Sequence, residues 1–337
     1  MLTVVFLGNS QIEVREVIDP HPAPGEVLLR IRASALCGSE LKAFRAPDSK
    51  PNGGHEIAGE IVEMNGTSLH RVGDRVIVNV MVGCGKCYYC LSGDPKFCKE
   101  MKFRGAGHCE YLNVAAEACL PLPDDISFDT GVLLGGDFVG TGYRAIKRLG
   151  LAATDAALVL GAGPVGLGVV SLLRFFGLRV LVSEPGAYRQ ALVAKLGASV
   201  IDPTKTNVSA EASEWTAGRG PDVVIDCAGR PETESLALDA VRVKGKVGFI
   251  GENGELTINP SRQIIHKELT VVGSWYFTSA DYFEILGLYR QGYRVEQLIT
   301  HRFPLAQAGE AYRVFAGGQS GKVLLTSILP TIVSPAN

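Results

Sequence analysis

The chain has almost no charge to spare. Its 33 Lys and Arg stand against 35 Asp and Glu, a formal net charge of −2. No positive excess is left to hold a phosphate polymer or an anionic membrane, so neither nucleic acid nor a membrane is an expected partner. Aromatic residues are sparse at 7%. The longest uncharged run, 156–173, nears membrane-spanning length but lacks flanking aromatic anchors and is broken by Gly161, Gly163, Pro164, Gly166 and Gly168. A buried strand and helix explain it better than a span. At the N-terminus, MLTVVFLGNSQIEVREV has no basic leader before an apolar core and alternates like a strand, so no signal peptide is expected and a cytoplasmic location is. No internal repeat or low-complexity segment is visible.

What is present is a hydrophobic fraction of 46%, 40 glycines and a length of 337 residues. Single cores stop growing near roughly 250–300 residues, which implies two domains. To about residue 135, short runs of period-two alternation such as EVLLRI (26–31) and IAGEIVEM (57–64) are separated by Pro and Gly clusters, the pattern of an antiparallel β domain. Apolar runs then alternate with helical patterns, AALVLGAG, VGLGVVSLLRFFG, RVLVSE, YRQALVAKLG, PDVVIDCAG and onward to LTVVGSW. These read as βαβ units on a parallel sheet covered on both faces. Helices at about 280–291 and 305–316 and a closing strand GKVLLTSIL (321–329) are assigned back to the first domain. The expected division is 1–138 with 278–337 for the β domain and 139–277 for an inserted nucleotide domain.

Leu158–Leu160 runs into Gly161-Ala-Gly163-Pro164-Val165-Gly166, after which a helical pattern begins. The first glycine makes the turn, the second admits a pyrophosphate to the backbone, and the third lets helix and strand pack closely, with the helix N-terminus facing the negative charge. The next strand ends at Glu184, at the expected distance for the acid that accepts from the adenosine ribose 2′-OH, which favours NAD over NADP. Arg189, five residues on, is the residue that a 2′-phosphate would use.

Cys84-Gly-Lys-Cys87-Tyr-Tyr-Cys90 and Cys98 place four thiols in fifteen residues. This spacing suits a tetrahedral thiolate zinc site in a reducing compartment rather than a disulfide framework. With all four positions taken by cysteine, the ion would be structural. A catalytic zinc needs about three protein ligands and an open position. Cys37 in CGS, His55 in GHE and Asp137 in LLGGDFVGTGYRA are the candidates, with Glu56 as an alternate ligand. Spacing alone leaves open whether these distant residues converge.

These motifs, together with VGDRV (72–76), VVIDCAG (223–229) and GKVLL, resemble over nearly the whole chain the zinc-containing medium-chain dehydrogenases, the family of alcohol, sorbitol and threonine dehydrogenases. The resemblance implies an α/β protein with a GroES-like β-barrel catalytic domain and an inserted Rossmann domain with a doubly wound parallel sheet, assembled as a homodimer or homotetramer. It implies that Cys37, His55 and Asp137 hold a catalytic zinc, with Glu56 a ligand or exchangeable ligand, and Cys84, Cys87, Cys90 and Cys98 a structural one. Thr141 would help fix the nicotinamide, and Cys227, Ile250, Gly251, Gly273 and Ser274 would join the glycine turn in lining the cofactor. Relatives commonly carry a His five residues after the zinc Cys, where this chain has Lys42, and a larger apolar residue before GHE, where it has Gly53.

The implied reaction is hydride transfer between an alcohol and NAD, giving a ketone or aldehyde. The zinc lowers the pKa of the substrate hydroxyl, and Ser39 takes the proton and passes it toward the cofactor ribose and Lys42. Lys42 suits a hydroxy acid or polyhydroxylated substrate, whereas Val80, Trp275 and Tyr276 suit an apolar pocket for a secondary alcohol. A secondary alcohol or polyol is favoured, with a hydroxy acid or amino alcohol as the alternative. A zinc-free reductase of the same fold is disfavoured by Cys37, His55 and Asp137 occurring together, and a non-catalytic NAD-binding relative remains open.

Overall fold

The structure is a computed structural model and describes residues 1–327. Ile328 and Leu329, the end of the expected closing strand, lie outside the described residues. The chain forms two compact units, one of 1–136 with 299–317 and the segment from Lys322, the other of 137–298 with 318–321. The return to the first unit therefore comes at Ile299 rather than at 278, and the helix Ser279–Arg290 belongs to the second unit. Its placement has a physical cause. Asp281, buried at the capping box of this helix, takes hydrogen bonds from Arg144 (2.9 Å) and Lys147 (3.4 Å) of the helix Asp137–Leu149, and Lys147 also bonds Glu284. Such a partner set cannot be read from the apolar period of either helix.

The first unit is built on strands. Glu26–Ala35 is its axis, pairing antiparallel with Glu56–Met64, Tyr111–Ala115 and Lys322–Thr326. Arg75–Val78 and Cys119–Pro121 extend one side, and Ile299–Pro304 joins parallel to Lys322–Thr326. The N-terminal alternation resolves into a hairpin, Leu2–Gly8 and Gln11–Glu16, turned through Asn9 and Ser10 at φ 52° and 62°. Positive φ at both turn residues matches the strand twist. The inner faces of this hairpin and of Lys322–Thr326 pack Val4, Phe6, Val323 and Leu325 against Phe44 and against Tyr312 and Phe315 of the helix Ala308–Ala316.

The second unit holds six parallel strands in the order Ser199–Ile201, Arg179–Ser183, Ala156–Leu160, Val223–Asp226, Lys246–Phe249, Thr270–Gly273. The order reverses direction at Ala156–Leu160, so the first two crossovers run one way along the sheet and the rest the other, the Rossmann arrangement. Ala156–Leu160 is buried at every residue, as a central parallel strand covered on both faces must be. Among the described residues no helix is long and apolar enough to cross a membrane.

Candidate active site and metal centres

The four-cysteine loop folds as a cage. Cys87 precedes the single turn Tyr88–Leu91, and Pro95–Phe97 turns the chain back so that Cys98 returns to Cys84. The four sulfurs lie within 4.8 Å of one another, with Cys87 and Cys90 at 3.6 Å. Backbone N–H groups point at the sulfurs, Cys84 and Glu100 donating to Cys98 at 3.4 and 3.3 Å. The N–H of Lys86 leads in drawing the Cys84 thiol down to about 7, whereas burial pushes Cys90 up to about 11. Gly83 cannot be larger, since a Cβ there would lie 2.3 Å from the Cys90 sulfur. Four convergent soft donors fit a closed, tetrahedral zinc site.

In the same unit the dispersed residues converge as well. Cys37 follows the axial strand, His55 immediately precedes Glu56–Met64 and Glu56 opens it. Because these strands are paired, Ala35 opposite Glu56, residues 18 apart in sequence become neighbours. One ligand atom from each of Cys37, His55 and Glu56 lies within 4.8 Å of the others, and all three residues are buried. His55 Nδ1 donates to the Gly53 carbonyl at 2.8 Å, which leaves Nε2 as the bare nitrogen for a metal. Thiolate, imidazole and carboxylate are the donor types of a catalytic zinc. Asp137 is the first residue of the second unit, directly after Gly136, and a Cβ on Gly136 would lie 3.0 Å from the Glu56 carboxylate. Within its own helix Asp137 accepts from the Thr141 hydroxyl at 3.2 Å, so Thr141 lies one turn into that helix rather than capping it.

Two buried charges surround this set. Lys322, fully buried, places its ammonium 2.6 Å from Glu56 and donates to the Leu36 carbonyl at 2.9 Å. Glu40, three residues after Cys37 and also buried, lies 3.4 Å from His55 Nδ1 and accepts from His108 Nε2 at 3.2 Å and from the Tyr312 hydroxyl. Burial opposes its ionisation, but His108 and His55 outweigh burial and hold the carboxyl well below its ordinary range. Ser39 and Lys42 sit at the start and on the outer side of the short helix Glu40–Arg45, both exposed.

In the second unit the expected cofactor residues gather at the carboxyl ends of the strands. Gly161 adopts φ 91° after Ala156–Leu160, and the helix Pro164–Phe175 begins two residues after Ala162. A Cβ on Gly166 would lie 2.0 Å from the Gly161 carbonyl, whereas one on Gly163 would meet nothing within 4 Å. Gly166 is thus a packing glycine, and Gly163 keeps open space at the helix N-terminus. Glu184 is buried after Arg179–Ser183, one oxygen accepting from Ala162 N–H at 2.8 Å and the other from Gly186 N–H at 2.9 Å. The acid is therefore locked to the glycine turn by the backbone. Arg189 donates instead to the Ser320 carbonyl at 3.4 Å. Cys227, Ile250 with Gly251, and Ser274 immediately follow the strands Val223–Asp226, Lys246–Phe249 and Thr270–Gly273.

Residues 23–124 match the family described as alcohol dehydrogenase GroES-like domain, and 164–291 match that described as zinc-binding dehydrogenase. The zinc-type alcohol dehydrogenase-like protein YphC of Escherichia coli K12 is 34% identical, over 96% of this chain and 98% of its own length. The chain belongs to the zinc-type medium-chain dehydrogenases. L-threonine 3-dehydrogenase of Pyrococcus furiosus is 32% identical over 93% of this dehydrogenase and 94% of itself. The crystal structure of 2R,3R-butanediol dehydrogenase from Bacillus subtilis superposes with a TM-score of 0.86 at 26% identity, covering 97% and 99% of the two chains. The expected fold, a GroES-like domain with a Rossmann sheet, holds for this dehydrogenase.

The residues that could ligate a metal stand out along the chain, whereas those packed around them do not. Glu40, His108, Tyr312 and Lys322 were absent from the expected site. Lys322 lay in plain view in GKVLL, as the only charged residue of a strand that is otherwise apolar until Thr326. A cation in such a strand signals a buried partner. Glu40, next to the CGS motif, gave a weaker signal, and His108 and Tyr312 none.

Proposed function

We propose that this dehydrogenase transfers hydride between a secondary alcohol or polyol and NAD, with catalytic zinc held by Cys37, His55 and Asp137 and with Glu56 as an exchangeable ligand. The convergence of Cys37, His55 and Glu56 within 4.8 Å carries the reading, and the tautomer imposed on His55 supports it. For Asp137 the support is its place one residue beyond Gly136, against which the Glu56 carboxylate packs. The ion supplies Lewis acidity, the property that brings water from 15.7 to about 7 in a zinc enzyme. Ser39, exposed two residues after Cys37, accepts the hydroxyl proton, and Lys42 passes it outward. The overall change is alcohol plus NAD⁺ to carbonyl compound, NADH and a proton.

A second, structural zinc in the four-cysteine loop completes the reading. Glu184, buried with one oxygen bonded to the glycine turn at Ala162 N–H, supports NAD over NADP, because a 2′-phosphate would face a buried carboxylate. L-threonine and butanediol, the compounds for which two relatives are named, each carry a secondary hydroxyl beside a second polar group, which supports that substrate class and keeps an amino alcohol as the alternative. A homodimer or homotetramer is supported by the strand Thr270–Gly273, which among the described residues has one neighbour in its sheet and leaves Val271 exposed. The thiolate cage supports a reducing, cytoplasmic setting. The test is a panel of alcohols, diols, polyols and hydroxy amino acids with NAD and NADP, followed at the reduced-cofactor absorbance beside Cys37→Ala. Full activity of that variant removes the zinc assignment, and preference for NADP removes Glu184 from its role.

A further inference from the structure

We propose that His108 is a positioning residue for the zinc ligand His55, acting through Glu40, and that Gly53 and Gly54 are glycines in order to admit this relay. The inference rests on the catalytic-metal reading above. Ser34, Glu40, His108 and Tyr312 are each no more than 3% exposed and come from three elements and the loop before Tyr111–Ala115. Glu40 has one oxygen, Oε2, that accepts from both His108 Nε2 and the Tyr312 hydroxyl. The other, Oε1, is buried with no hydrogen-bond partner and lies 3.4 Å from His55 Nδ1. Two donors on one oxygen fix the rotation of the carboxylate, and that rotation aims the second oxygen at the edge of His55 that carries its proton. The Gly53 carbonyl already takes the Nδ1 proton at 2.8 Å and sets the tautomer; a carboxylate on the same edge adds to the orientation of the ring and raises the basicity of the opposite nitrogen.

His108 is itself held from two sides. The Ser34 hydroxyl lies 2.7 Å from Nδ1, and its backbone N–H donates to Asn52 Oδ1 at 3.0 Å. The glycines supply independent support. A Cβ on Gly53 would lie 2.8 Å from Glu40 Cγ, and one on Gly54 would lie 2.6 Å from the His108 backbone nitrogen and 2.8 Å from Nδ1. Any larger residue before His55 would drive out the His108 ring, so Gly54 and the relay are one feature. A purely structural polar cluster would need neither an unpartnered oxygen nor its aim at His55.

The experiment compares His108→Phe, which keeps ring volume and removes both nitrogens, with His108→Gln, whose amide can still donate to Glu40 and accept from Ser34. Tyr312→Phe, a smaller change, covers the case in which His108→Phe fails to fold. Zinc content and chelator competition are measured on the full chain, with Cys37→Ala assigning which ion is which. The expected result is about a 10–100-fold loss of affinity at the Cys37 and His55 site in His108→Phe, a smaller loss in Tyr312→Phe, near wild-type affinity in His108→Gln, and no change at the four-cysteine site. Two ions per chain with unaltered affinity in His108→Phe overturns the relay and leaves the metal reading intact. Equal losses in the Gln and Phe variants also overturn it, because they would mark a packing role. A single ion per wild-type chain that Cys37→Ala leaves in place removes the metal reading and the relay together.

Discussion

Replacing Lys322 by Met tests how the buried charge beside the zinc ligands is balanced. Lys322 and Glu56 are both fully buried with nitrogen and oxygen 2.6 Å apart, and Lys322 also serves the Leu36 carbonyl. Met has similar length and no charge, so cavity formation contributes little and the loss isolates the cation. In the metal-free protein, removing one partner of such a pair leaves an uncompensated charge, at a cost of about 3–5 kcal/mol. For a unit of this size that amounts to roughly 6–20 °C in Tm. Urea unfolding followed by far-UV circular dichroism gives the free energy, with an unchanged slope showing that the mutation acts on stability rather than on compactness. The double variant Lys322→Met with Glu56→Gln removes both charges and is expected to recover most of the loss, since a neutral pair of similar volume replaces a buried ion pair at little cost. The reasoning fails if Lys322→Met loses less than about 1 kcal/mol, or if the double variant is no more stable than the single one.

The glycine turn separates packing from binding. Gly163→Ala meets nothing in the protein, so its unfolding curve should match wild type while NADH affinity, read by fluorescence titration, falls by at least tenfold, about 1.4 kcal/mol. Gly166→Ala, with its Cβ 2.0 Å from the Gly161 carbonyl, should lower stability as well as binding. Stripping metal with a strong chelator, or Cys90→Ser, should release the 84–98 loop to limited proteolysis, because a short thiolate loop is ordered by its ion; resistance in the metal-free protein would show that the loop holds itself. Asp281 is held below the usual carboxylate range because, although burial opposes ionisation, Thr278 and Arg144 outweigh it. A depressed folded pKa stabilises above the unfolded value near 3.9 and is lost as pH falls through the folded one. Wild type should therefore lose stability more steeply than Asp281→Asn below about pH 4, a difference that thermal melts at stepped pH would show.

The sequence by itself determined the local chemistry of this dehydrogenase. Four thiols within one short loop must meet, because the chain cannot separate them far, and a glycine turn between an apolar strand and a helix has few other geometries. The parallel sheet followed from the same locality, as strand and helix patterns alternate along the chain. Tertiary structure decided the rest. Cys37, His55 and Glu56 converge because Ala35 pairs with Glu56 across two strands, a register that no spacing rule supplies. The unit that keeps the helix Ser279–Arg290 was decided by a buried carboxylate answering Arg144 and Lys147, not by periodicity. Glu40 aims at His55 only because His108 and Tyr312, 68 and 272 residues away, hold its other oxygen. Ligand identity is a property of residue type and can be read along the chain. Ligand orientation depends on long-range pairing, and so was legible only once the strands were in register.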